Sequence, residues 1–428
     1  MKKLSALILA LLLACGMFAA GASAETSGMF EYMVLPGGTA AITSADPQIK
    51  DGNIPAELDG RKVTAIEGGA FSGCSRLTDV TIPDTVTSIG FIAFQNCKNL
   101  KSVNIPDSVV SIGDIVFDNC PKLASITVSR NNPAYVFNNG MLISKKEPAL
   151  LRYADPKARS FEVMWGIKEI ADGAFSDSGL TSVSIPASVT SIGSHAFSYT
   201  SRLKEISLPD SLTSIGSQAF FMSGITSLKI PANLTSIGDS AFNWCDKLKT
   251  IEVDPSNPVF EMRGNLLVDK TDNTLFLHLD TDKGTYTVPE GIEKIASSAF
   301  FHNINLKEVI IPDSVKDLDN SVFFQCKNLV SVRLPAGLKT LRRTMFSMCV
   351  NLKNVTIPDG VTTIEYSAFY NCGKLAEVVI PASVTTIEEN VFEGCKKVTV
   401  KAPAGSVAQK YCEENGIKFA ELENDANG

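Results

Sequence analysis

The fold is decided by a short unit that recurs along the chain, and residues 82–106 show it: IPDTVTSIGFIAFQNCKNLKSVNIP. Val103 and Ile105 alternate with polar residues, so a short strand can turn them to one side, and Pro106 then ends the strand because it cannot donate to a β-ladder. Val86 and Ile89 form a second apolar pair. One such unit is too small to bury these side chains by itself.

Copies of this unit place a phenylalanine at the position of Phe94 twelve times. Successive members of the series are 22 or 23 residues apart, except for two gaps of 58 residues, each of which contains an insertion of 35. The series consists of Phe71, Phe94, Phe117, Phe175, Phe197, Phe220, Phe242, Phe300, Phe323, Phe346, Phe369 and Phe392. Stacked copies can bury what one cannot, so the sequence predicts a repeat solenoid of about 12 coils with a parallel β-sheet and a column of stacked rings.

The flanks of the array predict caps, which cover the apolar ends of a solenoid. Residues 30–34 and 39–43, separated by Pro36-Gly37-Gly38, alternate as two strands of a hairpin. Residues 406–415 read as a short helix that Gly416 ends. We therefore expect a β-hairpin cap over 25–53, the solenoid over 54–400, and a C-terminal helix cap with a tail over 401–428.

The two insertions resemble each other. They lie near 129–160 and 254–287, open with Asn132-Pro133 and Asn257-Pro258, and continue with an alternating strand, a glycine turn and a second apolar stretch. We expect each to be a hairpin that extends the edge of the sheet. Two phenylalanines, a methionine and a histidine of the second insertion are candidate contacts, although packing in the hairpin core is the more common fate of such residues: Phe260, Met262, Phe276 and His278.

The N-terminal residues 1–24 are typical of an export signal. Two lysines precede an apolar run from Leu4 to Ala14 that is too short to span a bilayer. A cut after Ala22-Ser23-Ala24 would release a chain that begins at Glu25, whereas the residues before Cys15 resemble a lipoprotein signal in which Cys15 carries lipid. We favour the first, because a cut before Cys15 would leave an unusually short signal. Membrane attachment is expected only through lipid at Cys15.

Eight of the ten cysteines follow the repeat phenylalanine by three residues, at Cys74, Cys97, Cys120, Cys245, Cys326, Cys349, Cys372 and Cys395. Metal ligands usually sit two to four residues apart, which this spacing does not allow. Disulfides between neighbouring coils cannot be general, because Cys245 has no neighbour of its kind. Ser178, Thr200, Ser223 or Asn303 takes the position elsewhere, so we interpret it as a buried turn that needs a small side chain.

No catalytic or cofactor site is predicted. His195, His278 and His302 occupy unrelated positions, and no motif for a nucleophile, a phosphate or a dinucleotide is present. The formal charge of −7 argues against nucleic acid, which needs clustered Lys and Arg. We expect a protein without enzymatic activity, metal or cofactor.

The recurring pattern I-P-x-x-V-x-x-I-x-x-x-A-F-x-x-C-x-x-L-x-x-V-x-I-P resembles that of the BspA-like leucine-rich-repeat proteins, which are found mainly on bacterial surfaces. The match extends from about Ile54 to Val400. The resemblance implies a right-handed leucine-rich-repeat superhelix, a secreted or cell-surface location in a bacterium, and a non-catalytic role. Some members of the family are associated with adherence to host matrix proteins such as fibronectin and fibrinogen.

Binding is expected on the exposed face of the parallel sheet, where one residue lies between the inward residues of each strand. These candidates are Thr81, Asn104, Thr127, Ser184, Ser207, Lys229, Glu252, Ile310, Arg333 and Thr356. Small β-compatible residues also fill exposed strands without any binding role. The functional interpretation is a platform for a protein partner such as a host matrix protein, and the alternative is carbohydrate binding. Exposed aromatic rings clustered on one face would favour carbohydrate, because sugars stack on rings, whereas a smooth polar sheet favours protein.

Overall fold

The computed structural model describes residues 24–422. The chain divides into two compact units, the first comprising Met1–Lys157 and Ala171–Ser178 and the second Ala158–Ile170 and Gly179–Gly428. The predicted signal, including Cys15, and residues 423–428 of the predicted tail lie outside the described residues. Apart from one helix in the second unit, the regular elements of both units are short β-strands connected by turns.

The strands of the first unit begin with three antiparallel strands and end with three more. They are β1 Glu25–Ser27, β2 Phe30–Val34, β3 Ala40–Ala45, β4 Asp51–Asn53, β5 Glu57–Leu58, β6 Arg61–Ile66, β7 Asp79–Thr81, β8 Ser88–Ile89, β9 Ser102–Ile105, β10 Ser111–Ile112, β11 Ser125–Val128, β12 Tyr135–Asn138, β13 Met141–Ser144 and β14 Ala149–Tyr153.

The second unit repeats the same two kinds of strand and ends with a helix and a last strand. Its elements are β15 Ser160–Glu162, β16 Glu169–Ile170, β17 Ser182–Ser184, β18 Ser191–Ile192, β19 Glu205–Ser207, β20 Ser214–Ile215, β21 Ser227–Ile230, β22 Ser236–Ile237, β23 Thr250–Val253, β24 Phe260–Arg263, β25 Leu266–Asp269, β26 Thr274–His278, β27 Gly284–Thr287, β28 Lys294–Ile295, β29 Leu306–Ile310, β30 Asp317–Leu318, β31 Ser331–Arg333, β32 Thr340–Leu341, β33 Asn354–Thr356, β34 Thr363–Ile364, β35 Glu377–Val379, β36 Thr386–Ile387, β37 Thr399–Ala402, α1 Val407–Asn415 and β38 Lys418–Glu421.

Each regular coil contributes one longer strand and one two-residue strand to two separate parallel sheets. We call the longer strands the main strands: β4, β7, β9 and β11 in the first unit and β15, β17, β19, β21, β23, β27, β29, β31, β33, β35 and β37 in the second. They pair with equivalent residues opposite each other, as Val80 pairs with Val103 and Val103 with Ile126. The two-residue strands pair in the same way, as Ile89 pairs with Ile112.

The predicted column of rings forms within each unit. The centroids of Phe71 and Phe94 are 4.9 Å apart, and those of Phe197 and Phe220 are 5.3 Å apart. From Phe300 to Phe392 the successive separations are 5.2, 5.4, 5.4 and 5.4 Å. The parallel-sheet solenoid that the repeat predicts is therefore confirmed.

The described residues 24–422 form about 17 turns rather than the twelve predicted. Part of the difference comes from the insertions, because each adds a ring to the column that is not a phenylalanine. Tyr153 packs on Phe175 at 5.3 Å, and His278 on Phe300 at 4.8 Å. The backbone N–H of His278 donates to the carbonyl of Ala299 at 2.8 Å, the bond that Phe94 makes with Val116 in a regular coil.

Both insertions fold as three antiparallel strands, β12–β14 and β24–β26, where a hairpin of two was expected. In the second insertion the last strand pairs in parallel with β28, so the insertion rejoins the sheet of two-residue strands. The extra strand arises because the apolar stretch after the glycine turn is interrupted by a polar loop, at 145–148 in the first insertion and 270–273 in the second.

The caps of the fold class are present. β2 and β3 pair antiparallel and β3 pairs in parallel with β6, which follows it in the sheet. The helix α1 begins after its N-cap Ser406 and ends at Gly416, whose φ of 65° is the left-handed conformation that glycine favours. Ala408 and Cys412 are the buried residues of α1, and the Tyr411 ring contacts Phe392 edge-on at 6.2 Å.

Candidate binding surface on the main strands

Residues on the main strands alternate between the core and the exposed face because side chains of a strand point to opposite sides in turn. In β7, Val80 is buried while Asp79 and Thr81 are exposed. In β17, Val183 is buried and Ser184 is exposed. The exposed face of the main strands is thus a direct consequence of the x-V-x segment of the repeat.

The predicted surface residues lie beside each other where the strands pair. Thr81 is opposite Asn104, and Asn104 opposite Thr127. In the second unit the opposed pairs are Ser184 with Ser207, Lys229 with Glu252, Ile310 with Arg333, and Thr356 with Val379. Of the ten candidates, nine are exposed and Ile310 is half-buried.

A second column of outward residues, which was not predicted from the repeat, lies two positions earlier on the same strands. It includes Asp79, Ser102 and Ser125 in the first unit, and Ser182, Glu205 and Ser331 in the second. The signal was available in the sequence, because strand alternation with period two exposes both neighbours of each buried residue. Each main strand therefore presents two outward side chains, which doubles the width of the candidate surface.

Two grooves run across this face in the second unit. One, of about 560 Å³, crosses β15, β17, β19 and β21, and its lining includes Ser184, Ser207 and Lys229. The other, of about 850 Å³, crosses β31, β33 and β35, and its lining includes Arg333 and Thr356. The first is lined largely by serines and glutamates, whereas apolar residues and prolines contribute much of the second: Val332, Leu334, Ile357, Pro358, Val379, Pro381 and Leu422.

Charged side chains on this face are held by local contacts. Lys229 Nζ is 3.8 Å from Asp254, and Arg333 is 3.3 Å from Asp313. The backbone N–H of Ala336 donates to Asp313 at 2.9 Å and lowers the pKa of that carboxyl. Hydrogen bonds from the side chains of Ser102 and Thr78 lower the pKa of Asp79 in the first unit. These carboxylates are ionised at neutral pH, so the face presents fixed charges among neutral hydroxyls.

The histidines do not come together. His302 Nδ1 is 3.0 Å from Asp246, and His278 Nδ1 is 2.5 Å from Asn303 Oδ1. Burial lowers the pKa of His278, which leaves its ring neutral at neutral pH. In residues 24–422, no three or more His, Cys, Asp or Glu side chains are placed to hold a metal ion.

The candidate contacts of the second insertion belong mainly to its core. Phe260 and His278 are 2% and 1% exposed, and Phe276 and Met262 are half-buried. Phe260 and Phe276 pack edge-on at 5.8 Å. Packing thus accounts for the two buried residues, and the insertion offers no exposed aromatic pair made from these four.

The repeat cysteines have a structural role that their position explains. Cys97 Sγ donates to the Phe71 carbonyl at 3.2 Å, and Cys245 Sγ to the Phe220 carbonyl at 2.9 Å. Thr200 in the same position donates to the carbonyl of Phe197 at 2.6 Å. The side chain at this position is therefore a small buried donor to a backbone carbonyl.

The family model described as a BspA type leucine rich repeat region matches the chain in six copies, over residues 53–149, 168–264 and 274–399. The chain belongs to this family. Its BspA-type repeats account for the regular spacing of the main strands and of the ring column. A search of curated proteins finds no match.

Solved structures of other leucine-rich-repeat proteins share the fold. A leucine rich cell surface protein from Faecalibacterium prausnitzii A2-165 is 27% identical, with a TM-score of 0.53 over 92% of this BspA-type chain and 97% of its own. The pneumococcal vaccine antigen PcpA is 18% identical, with a TM-score of 0.54 over 94% of this chain and 99% of its own. No helix in residues 24–422 has the length and apolar character needed to cross a membrane.

Proposed function

We propose that this BspA-type leucine-rich-repeat protein is exported to the bacterial surface or beyond and binds a protein partner through the exposed face of its main strands. The observation that carries the proposal is the pair of grooves on that face in the second unit, which contain five of the residues predicted from the repeat alone. The similarity to a cell surface protein of Faecalibacterium prausnitzii, at 27% identity, supports the location.

Surface complementarity is the mode of action that fits this face. Its outward positions are mostly small hydroxyl or charged residues, and none of those on the described main strands is aromatic. The ring of Phe161 also lines the first groove, but it is half-buried at the position that pairs with the buried Val183. A polar face whose outward positions carry no ring favours protein over sugar at this site. The partner class is a host extracellular protein, with fibronectin and fibrinogen as the first candidates because relatives of this family are associated with them.

Binding to immobilised fibronectin and fibrinogen tests the proposal. The double variant Ser184→Arg with Ser207→Arg fills the groove above β17 and β19, and it should weaken binding at least about tenfold. The matched control is Thr190→Arg with Thr213→Arg, which alters exposed residues of the same two coils outside the main strands. Equal binding by both variants would show that another face carries the interaction.

Export is tested by the N-terminus of the mature protein. With the native signal, we expect a chain that begins at Glu25 and is released from cells. Cys15→Ser should leave its release unchanged. Incorporation of labelled fatty acid that this substitution abolishes would instead establish the lipid-anchored form.

A further inference from the structure

A cationic face lies on the second unit at the turns that lead into the main strands, and its segments reach the first residues of β21, β29 and β37. We define the corner segments as the six residues that begin two positions after each ring-column phenylalanine of this unit: 199–204, 222–227, 244–249, 302–307, 325–330, 348–353, 371–376 and 394–399. They contain ten cations and one acidic residue, Asp246. The corner segments therefore carry an excess of positive charge, whereas the whole chain has a formal charge of −7.

The ten cations are Arg202, Lys204, Lys247, Lys249, Lys307, Lys327, Lys353, Lys374, Lys396 and Lys397, and all of them are exposed. None forms an ion pair with any of the described residues, whereas Lys229, Lys294 and Lys401 elsewhere in this unit do. An array of unpaired cations produces a local positive potential that attracts anionic ligands. The corner segments recur once per coil, and neighbouring coils from Phe300 to Phe392 are 5.2 to 5.4 Å apart at their rings.

Bulky side chains accompany the cations at the first position of six corner segments. These are Tyr199, Met222, Trp244, His302, Gln325 and Met348, and each has a φ between 55° and 62°. Other coils place Asn96, Asn119 or Asn371, or a glycine, at the same position. Asparagine and glycine suit this left-handed conformation, whereas a large side chain is strained in it. A positive φ recurs at this position in every coil of the phenylalanine series, so the large residues of the second unit occupy it against the preference of the turn.

The second insertion does not interrupt this face. The rings of Trp244 and His302, 58 residues apart in sequence, are 4.3 Å apart at their centroids. Beyond them, the Gln325 amide donates to Met348 Sδ at 3.3 Å. A cavity of about 130 Å³ at the insertion is lined by both rings together with Asp246 and Lys249. Rings, cations and a carboxylate thus meet at one place on a continuous row.

We propose that the corner segments bind a linear anionic polysaccharide, of the sulfated or carboxylated glycosaminoglycan class. Two features select this ligand over an acidic protein. Seven of the eight successive corner segments carry one or two cations each, so positive charge continues along the stacked coils, which suits an extended polymer whose charges also recur along its length. The adjacent rings offer faces on which the C–H surfaces of sugars stack, while lysine ammonium groups pair with sulfate or carboxylate as point charges.

Binding of the full mature chain to immobilised heparin, hyaluronan, neutral dextran, duplex DNA and polyglutamate tests the proposal. We expect binding to heparin that weakens as salt is raised, weaker binding to hyaluronan if sulfate is the main anion, and none to dextran. The quadruple variant Lys247→Gln, Lys307→Gln, Lys327→Gln and Lys353→Gln should reduce heparin affinity roughly tenfold or more and make its salt dependence shallower.

The matched control replaces four lysines that are equally exposed but lie outside the corner segments: Lys168→Gln, Lys283→Gln, Lys339→Gln and Lys418→Gln. Both variants change the net charge equally, so equal losses of affinity would overturn a localised site. Binding of DNA or polyglutamate as tight as heparin binding, with the same sensitivity to the first variant, would overturn the choice of a polysaccharide.

The strained column gives an independent readout. Met222→Asn places at this position, where the methionine is exposed, the residue found at Asn96 and Asn371, so thermal stability should hold or rise. Trp244→Asn also loses the ring contacts with Phe301 and His302 and should lower stability. Heparin affinity should fall several-fold in both variants, and unchanged affinity would mean that neither side chain belongs to the site. Ser184→Arg with Ser207→Arg should leave heparin binding unchanged or raise it slightly, so the protein-binding proposal and this one fail separately.

Discussion

Asn132 and Asn257 open the two insertions, and each is held by the same four hydrogen bonds. The Asn257 amide donates to the carbonyls of Pro231 and Leu234 at 2.7 and 2.9 Å and accepts from the backbone of Val259 and Phe260 at 2.9 and 2.7 Å. Asn132 repeats this arrangement at 2.7 to 2.9 Å. Only an amide offers two donors and an acceptor in this geometry, which explains the shared Asn-Pro opening.

Replacing Asn257 by Leu should destabilise the second unit by at least about 3 kcal/mol, because four buried backbone groups lose their partner. Asn257 is 1% exposed, so water cannot replace the amide. Asn233→Leu is the control, since this exposed asparagine donates one bond, to the Asp210 carbonyl at 2.8 Å, and we expect less than about 1 kcal/mol there. Denaturant unfolding of both variants measures the difference, and equal losses would contradict this account.

The thiols give a second expectation at this scale. All nine cysteines in residues 24–422 are free and buried. Burial raises the pKa of Cys245 to about 12, so its thiol is protonated at pH 8 and a poor nucleophile. A thiol reagent should react slowly with the folded protein and with nine thiols after denaturation. A thiol count near zero after denaturation would show that the cysteines form disulfides, which are typical of an oxidising environment.

At the scale of the coil, departures from the repeat occur in pairs. His278 takes the place of a ring-column phenylalanine, and Asn303 takes the cysteine position of the following coil; the two side chains are hydrogen-bonded to each other. His278 is 22 residues before Phe300, and Tyr153 is 22 before Phe175. The repeat interval was therefore present inside both insertions, but the change of ring type concealed it from a search for phenylalanine.

His278→Phe should destabilise the second unit by about 1–3 kcal/mol, because Asn303 loses its partner in a buried site. Adding Asn303→Cys restores the regular pair, and the double variant should recover most of that loss. Thermal unfolding of the three proteins at pH 7.5 provides the comparison. A double variant no more stable than the single one would mean that the ring itself, not the pairing, sets the stability.

The same histidine makes stability depend on pH. Burial lowers the pKa of His278 in the folded state, whereas in the unfolded chain the pKa returns to about 6.5. Below that pH the unfolded chain binds the extra proton, so the second unit loses stability as the pH falls, and above it the group contributes no slope. His278→Phe should flatten the decline of stability between pH 7 and 5. An unchanged profile would assign the acid sensitivity to carboxylates.

For the whole molecule, the sequence predicts those features that follow from the regular spacing and alternation of residues. The ring column, the parallel register, the caps and one exposed column from Thr81 to Thr356 all follow from spacing and alternation. The cationic corner does not, because its segments begin 22 residues or more apart in a chain with an overall charge of −7, and only the fold brings them together. The second outward column was missed for a simpler reason, since one residue per strand was considered instead of two.

The stability of a stacked array is approximately the sum of the intrinsic stability of each coil and the energy of its contacts with neighbouring coils. The removal of an end cap should therefore destabilise mainly the coils next to it. Ending the chain at Pro403 removes both α1 and β38, which pairs with β37, and exposes Val400, Ala402 and Phe392, which are at most 4% exposed in the intact protein. We expect a loss of about 2–4 kcal/mol in the last coils and faster amide hydrogen exchange in β35 and β37. In the truncated protein, amide exchange in β29 should remain slow. The control is Lys410→Ala in the full chain, an exposed change within α1, which should alter neither the stability of the last coils nor the exchange rates. Uniform acceleration from β29 to β37 would instead mean that these coils unfold as one cooperative body, in which case the cap stabilises all of them and not only its neighbours.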